Sequence, residues 1–490
     1  MNQSKIKFIF SLCLLIPLSL YSQLKKEYLV DTLKTEVRVF GESVRKDLST
    51  ASVSTISGGA VRGINTPNLG NMLAGQLTGL NVSQTGSAPG YQDWPWLLIR
   101  GKASFLGNDG NDIKVVVDGF ETKWHNIIPD EIESISVLKD AAAVAQYGID
   151  GANGVLYIKT KRGTKRDKNQ ITFNSRLSLQ QPTILPEYVR NGEYANLYNQ
   201  AMISDGKDVA TGMFGNEHVV NYYADGSYPY LYADVDWVNE VTKPQTFAHD
   251  YSLSVNGGTN AVAYNVVLGF LNTQGIYGGT DPKRNTSANW DLRRYTVRTN
   301  VDVQIAKFLR SEVSLRATID DKQRPNTDEA TLWKNMGVFI PFSVKTETGA
   351  WGGSQNYPEN PVASIQAKGY NSDNDRTIDT NVKFIGDLGV LAKGLEAFGQ
   401  VVFSNNYFSS YNKTRDYAYA EYIATVDPFG FVDYSTVVRG NNDNNFKINQ
   451  PSGVQWNRYN LLADLNYNNT FANKHHIHAS AMYLQELYRS

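Results

Sequence analysis

Cysteine is almost absent: among 490 residues Cys13 stands alone. That excludes a disulfide framework and any cysteine-ligated metal or haem. A surplus of one charge is also lacking, since 47 Lys and Arg face 48 Asp and Glu for a formal net charge of −1. Nucleic acid is therefore not an expected partner, because a phosphate-binding surface shows as a basic excess. Long apolar runs are confined to Phe8–Leu20, and nothing else approaches the roughly 20 apolar residues of a spanning helix. With a mean hydropathy of −0.38, a helical membrane protein is excluded. No His-Glu-x-x-His pair, phosphate loop or Gly-x-Ser-x-Gly elbow occurs, so no enzyme activity is expected. What is plentiful is aromatic and small: 29 Tyr, 20 Phe, 8 Trp and 40 Gly. That mixture fits a β-barrel with a polar lumen and aromatic rims.

The amino end reads as a secretory signal over residues 1–22. Lys5 and Lys7 precede the apolar run, and Ser22 is a small residue suited to cleavage. Residues 23–48 then form a polar extension with one short strand, in which Glu36, Val37, Arg38 and Val39 alternate and no partner strand stands nearby. An unpaired strand can add to the edge of another protein's sheet; it can equally be the first strand of the following domain.

Residues 49–163 read as a compact mixed α+β domain. Its landmarks each pair a β run with a glycine turn: Leu69–Gly75, Ile99-Arg100-Gly101, Val115–Gly119 with Asp118 before Gly119, and above all Ile127–Gly163. That last stretch is strand, short alanine-rich helix and strand. It carries Lys139-Asp140 ahead of the helix, then Tyr147-Gly148, Gly151 and Gly154. Arg100 is expected either to pair with a carboxylate of the following domain or to lie solvated, and Asp118-Gly119 to form a turn.

A basic linker around 161–168 leads into period-two strands over residues 164–490. Ile171, Phe173, Leu177 and Leu179 alternate with polar neighbours, and the same holds around 251–270, 295–305, 313–319, 380–388, 395–403, 459–468 and 475–488. Strands of roughly 9 to 11 residues, the length that crosses a bilayer at a barrel's tilt, are expected. Tight turns fall at 257–260 and 306–307; the stretches 181–245 and 320–376 are expected to be long extracellular loops. The loop near 222–237 gathers Tyr222, Tyr228, Tyr230, Tyr232 and Trp237 with Asp236. Such aromatics beside carboxylates can stack on sugars or hold a peptide, or simply pack as loop and girdle. His475, His476 and His478 lack an acidic companion, so no metal site and no cofactor is expected.

The wording and order of Asp130–Ile135, Val137–Ala142, Tyr147-Gly148, Gly151–Val155 and Thr160–Gly163 closely resemble the plug domain of SusC/RagA-like TonB-dependent outer-membrane transporters. The resemblance continues through Asp236-Trp237, Ser254–Gly258, Tyr295–Arg298, Asn360-Pro361 and Lys393–Leu395. It implies a mixed α+β plug followed by an antiparallel transmembrane β-barrel in the outer membrane, in contact with its lipid, importing oligosaccharides or peptides. It further implies a TonB-interacting strand at Glu36–Val39, energy from TonB-ExbB-ExbD and a SusD-like surface lipoprotein as lid. A siderophore or cobalamin receptor, or a non-transporting adhesin, are the rival expectations. About ten strands can be counted against the roughly 22 of plugged transporters, so a partial barrel and a longer parent protein are expected.

Overall fold

A computed structural model describes residues 36–39, 42–45 and 51–490, except 85, 87, 89–93, 106–110, 279, 282–285, 288, 444, 450 and 473–474. The signal segment with Cys13, and Thr35, lie outside the described residues. The first strand, β1 (Glu36–Val39), is not unpaired as expected. It forms an antiparallel hairpin with β2 (Glu42–Arg45), the nearest segment with free backbone groups.

The plug is built on a four-stranded mixed sheet in the order β3 (Val53–Ser57), β7 (Ile132–Leu138), β8 (Val155–Thr160), β6 (Lys114–Val117), beside a two-stranded sheet of β4 (Leu80–Gln84) and β5 (Pro95–Ile99). Ile132, Ile135, Val137, Leu156 and Ile158 are buried on this sheet and pack with Leu69, Leu73 and Trp124 in one core. The short helix Ala141–Val144 starts where expected because the Asp140 side chain accepts from the Ala143 amide at 2.9 Å, an N-cap bond.

The wall is a ten-stranded antiparallel sheet. Its strands are β9 (Arg166–Gln180), β10 (Thr246–Gly258), β11 (Val262–Gln274), β14 (Asp291–Ala306), β15 (Leu309–Pro325), β17 (Gly369–Asp387), β18 (Leu395–Thr414), β22 (Ser452–Phe471) and β23 (His475–Arg489), in chain order across the sheet, with β21 (Lys447–Ile448) beside β18. Among the described residues the sheet does not close, so the barrel is incomplete in this chain. Apart from the two-residue β21, the strands run to 13–20 residues, longer than expected. Backbone pairing does not need apolar side chains, so the polar start of β17, Gly369–Arg376, continues the ladder on β15 and β18 after the apolar alternation has stopped. Ile171, Phe173, Leu177 and Leu179 lie exposed on the outer face, as do Val297, Leu315, Ile319, Leu461 and Leu465. Arg294, Arg298, Asn300, Arg316, Asp320 and Ser404 are buried on the inner face, under the plug.

The connections expected as loops are largely folded. Helices Asn191–Ser204, Glu217–Asp225 and Trp237–Val241 lie between β9 and β10, and Glu329–Met336 and Pro361–Gln366 between β15 and β17. Asn216, Asp236, Asp328 and Asn360 cap four of them, while Trp237, Val241, Leu332, Met336 and Ile365 share a core. Short strands complete this side: β12 (Thr280–Asp281) with β13 (Thr286–Ser287), and β16 (Trp351–Gly352) with β19 (Tyr419–Val426) and β20 (Val432–Arg439).

Candidate functional site

The chemistry concentrates at the seam between plug and wall. Pro129 opens a 3-10 turn that places Glu131 at the head of β7, where it is fully buried. Close approach is possible because Gly58 lies against this turn: a Cβ there would sit 2.2 Å from the Ile132 carbonyl oxygen. Across the seam β14 and β15 set Arg298 directly opposite Arg316. Two adjacent like charges destabilise a sheet unless a counter-charge meets them. Glu131 supplies it, accepting from Arg298 Nε at 2.6 Å with Arg316 Nε at 3.7 Å. Arg316 also reaches Asp379 at 3.3 Å and donates to the Lys123 carbonyl at 2.6 Å.

Further polar ties flank this centre. Arg294 pairs with Asp320 at 2.7 Å and also donates to the Pro67 carbonyl of the plug. Lys123 pairs with Asp375, Thr122 donates to Asp379 at 2.7 Å, and Arg162 pairs with Asp302. On the other flank Arg62 holds Asp130 at 3.0 Å, and Asp130 accepts from Ser252 of the wall. Charges this deeply buried are tolerated only when paired, so the plug's acids and the wall's arginines depend on each other for burial. His125 sits at the same level, its ring 4.1 Å from those of Trp94 and Trp124. Burial, reinforced by the Lys123 and Arg294 cations, pulls its pKa down to about 3 and keeps the imidazole neutral.

The residues singled out in the sequence fall in several places. Arg100 adopts φ 60°, is exposed, as the solvated expectation had it, and donates to Ser52 Oγ at 3.1 Å within the plug rather than to a carboxylate of the wall. Gly101 follows at φ 93°. Asp118-Gly119 does form a turn, but the Asp118 carboxylate also accepts from the Thr160 amide at 2.9 Å and hydroxyl at 2.6 Å and lies 3.8 Å from Arg298. Lys139 and Asp140 both reach the segment that enters the plug: Lys139 Nζ donates to Ser54 Oγ at 2.5 Å, and Asp140 Oδ2 accepts from the Ser52 amide at 2.7 Å. Tyr147 packs against the buried cluster that includes Val144 and Val155, Gly148 and Gly154 take φ 58° and 94°, and Gly151 lies against Tyr147 and Val144.

Tyr222, Tyr228 and Tyr232 pack on one another, with ring centroids 4.8 Å apart for the first pair, around a core containing Phe214 and Phe339. Tyr230 is 41% exposed, Trp237 is buried, and Asp236 caps the helix that Trp237 begins. His478 bonds Asn466 at 3.0 Å, and the described residues contain no cluster of three metal-ligating side chains. A cavity of about 820 Å³ opens between Ile64–Pro67 of the plug and the wall at Gln180, Gln274 and Tyr277, with Trp290 and Trp333 on its sides. Arg298 and Arg316 fall among the polar positions of the period-two runs 295–305 and 313–319, which give no sign of their role. The available signal was two arginines in facing register, which call for a buried anion from elsewhere.

Residues 45–155 match the family model described as the TonB-dependent receptor plug domain. The chain is 25% identical over 469 residues to the TonB-dependent receptor SusC of Bacteroides thetaiotaomicron, covering 86% of this chain and 44% of that protein. It is 28% identical over 300 residues to the TonB-dependent receptor P26 of Formosa agariphila, covering 60% of this chain and 27% of the relative. The chain thus spans less than half the length of these curated relatives. Among solved structures it resembles the RagAB peptide transporter, with a TM-score of 0.61 at 18% identity over 89% of this chain and 55% of that one. The RagAB peptide importer in its open-open state gives a TM-score of 0.64 at 18% identity, over 92% of this chain and 56% of that one. Residues 45–155 thus carry a TonB-dependent receptor plug domain, and plug and wall together are similar to SusC/RagA-like TonB-dependent receptors.

Proposed function

We propose that this chain forms the plug and the adjoining wall of an outer-membrane importer of oligosaccharides or peptides. One observation carries the reading: a buried plug carboxylate, Glu131, is held by Arg298 and Arg316 on the inner face of a sheet whose outer face is apolar. Such a wall suits a bilayer outside and a polar passage inside, and the plug obstructs that passage. Substrate arrives from the outer side, under a SusD-like lipoprotein lid, where aromatic residues and amides line the cavity above the plug. The strand at Glu36–Val39 pairs with TonB, and tension supplied through TonB-ExbB-ExbD displaces the plug. RagAB, named as a peptide transporter, supports the peptide class, and SusC supports the receptor type. No bond is made or broken in the cargo.

Deleting Thr35–Gly41 from the full-length protein in its native membrane tests this. Cargo binding is expected to persist while uptake stops; uptake that survives the deletion refutes the proposal.

A further inference from the structure

The Lys139-Asp140 pair has no part in the seam, yet both side chains converge on one point: the place where the chain enters the plug. β3 is an edge strand of only five residues, paired antiparallel with β7 from Val53↔Leu138 to Ser57↔Ser134. Any pull on the amino end reaches β3 at Val53. Peeling would therefore begin at the Val53↔Leu138 pair, and four contacts close that end. The Lys139 amide donates to the Ser52 carbonyl at 3.1 Å, Asp140 Oδ2 accepts from the Ser52 amide at 2.7 Å, Lys139 Nζ donates to Ser54 Oγ at 2.5 Å and Arg100 donates to Ser52 Oγ at 3.1 Å. At the opposite end of β7, next to Ile132, stands Glu131 in its bond to Arg298.

This layout decides how load is shared. The clamp hands the load to β7 at its Leu138 end, and Glu131 holds the other end of β7 to the wall, so tension runs along β7 to the seam. Without the clamp the load must pass through the five-residue β3–β7 ladder alone, and once that short ladder parts β3 leaves by itself. We propose that Lys139 and Asp140 are positioning residues for force transfer: they join the entering segment to β7, so that tension reaches Glu131 and moves the plug. The proposal rests on the importer reading above.

The test uses cysteine reporters in a transporter whose other exposed cysteines, if any, have been replaced by serine; within this sequence the one cysteine, Cys13, lies far upstream. Ser57→Cys and Ser134→Cys face each other across the two strands and are made separately in the otherwise intact transporter, in cells with an active TonB system. Maleimide labelling is compared with and without the membrane proton gradient. The clamp is opened with Lys139→Met and Asp140→Asn; asparagine keeps an N-cap for the helix at Ala141 but loses the anionic acceptor for Ser52.

With the clamp intact, energised cells should label both positions together. With it opened, Ser57→Cys should still label while Ser134→Cys drops about tenfold or more, as expected for losing hydrogen bonds to charged groups. Equal labelling of Ser134→Cys in both backgrounds overturns the force-transfer role. If Ser57→Cys shows no energy-dependent labelling even with the clamp intact, the importer reading itself fails. Unaltered cargo binding in the clamp variant separates loss of coupling from misfolding, and lost binding together with lost labelling at both sites would make the pair structural and overturn the proposal.

Discussion

Replacing Glu131 with Gln keeps the shape of the seam and removes its central charge. Arg298 and Arg316, 4% and 1% exposed, would then face each other with only Asp118 at 3.8 Å and Asp379 at 3.3 Å as partial compensation. Breaking one side of a buried ion pair costs about 3–5 kcal/mol, because the remaining charge stays desolvated. All of that loss falls on the docked plug, since a displaced plug lets both arginines meet water. At about 4 kcal/mol, the displaced population rises roughly 1,000-fold. Native-state hydrogen exchange at the β7 amides reads this, as Ile132–Leu138 exchange only when the plug loosens. Exchange within about threefold of the parent in Glu131→Gln, well under the 1.4 kcal/mol of a tenfold change, would refute the view that this carboxylate holds the plug to the wall.

Three further outcomes follow from the geometry. His125 is neutral in the folded plug down to about pH 3 but protonates near 6.5 when unfolded, so its stabilising share is complete above 6.5 and is lost as pH falls toward 3. The slope should be about 1.4 kcal/mol per pH unit, and His125→Asn should flatten urea midpoints measured from pH 7 to 4.5. Gly154→Ala forces a side chain into φ 94° and within 2.7 Å of Ile99 Cδ1. A plug destabilised by about 1–3 kcal/mol is expected from the backbone term alone, seen as a lowered denaturant midpoint. Leu177→Arg, on the outer face where Leu177 is 65% exposed, should cost more on folding into vesicles than Ser178→Arg on the inner face, by up to about 2–4 kcal/mol depending on depth in the bilayer; equal costs would contradict the sidedness of β9.

Much of this architecture was readable in the order of residues, for reasons that are local. Period two in Ile171, Phe173, Leu177 and Leu179 needs only the pleat of a strand to predict one apolar face, and Asp140 before three alanines needs only an N-cap to predict where a helix starts. Strand ends were less readable because the polar stretch Gly369–Arg376 is held by pairing with β15 and β18, which no local pattern encodes. The hairpin of β1 with β2 and the folding of 181–245 into capped helices escaped for the same reason. What tertiary structure alone decided is which polar residues meet. Glu131 and Arg298 stand 167 positions apart, and Arg100, for which a wall carboxylate and solvent were equally open, stays exposed and bonds Ser52 of the plug. Alternation tells a strand which side faces inward, but only the packed plug determines which inward charge is answered, because a buried ion is stable only where its counterpart arrives in space.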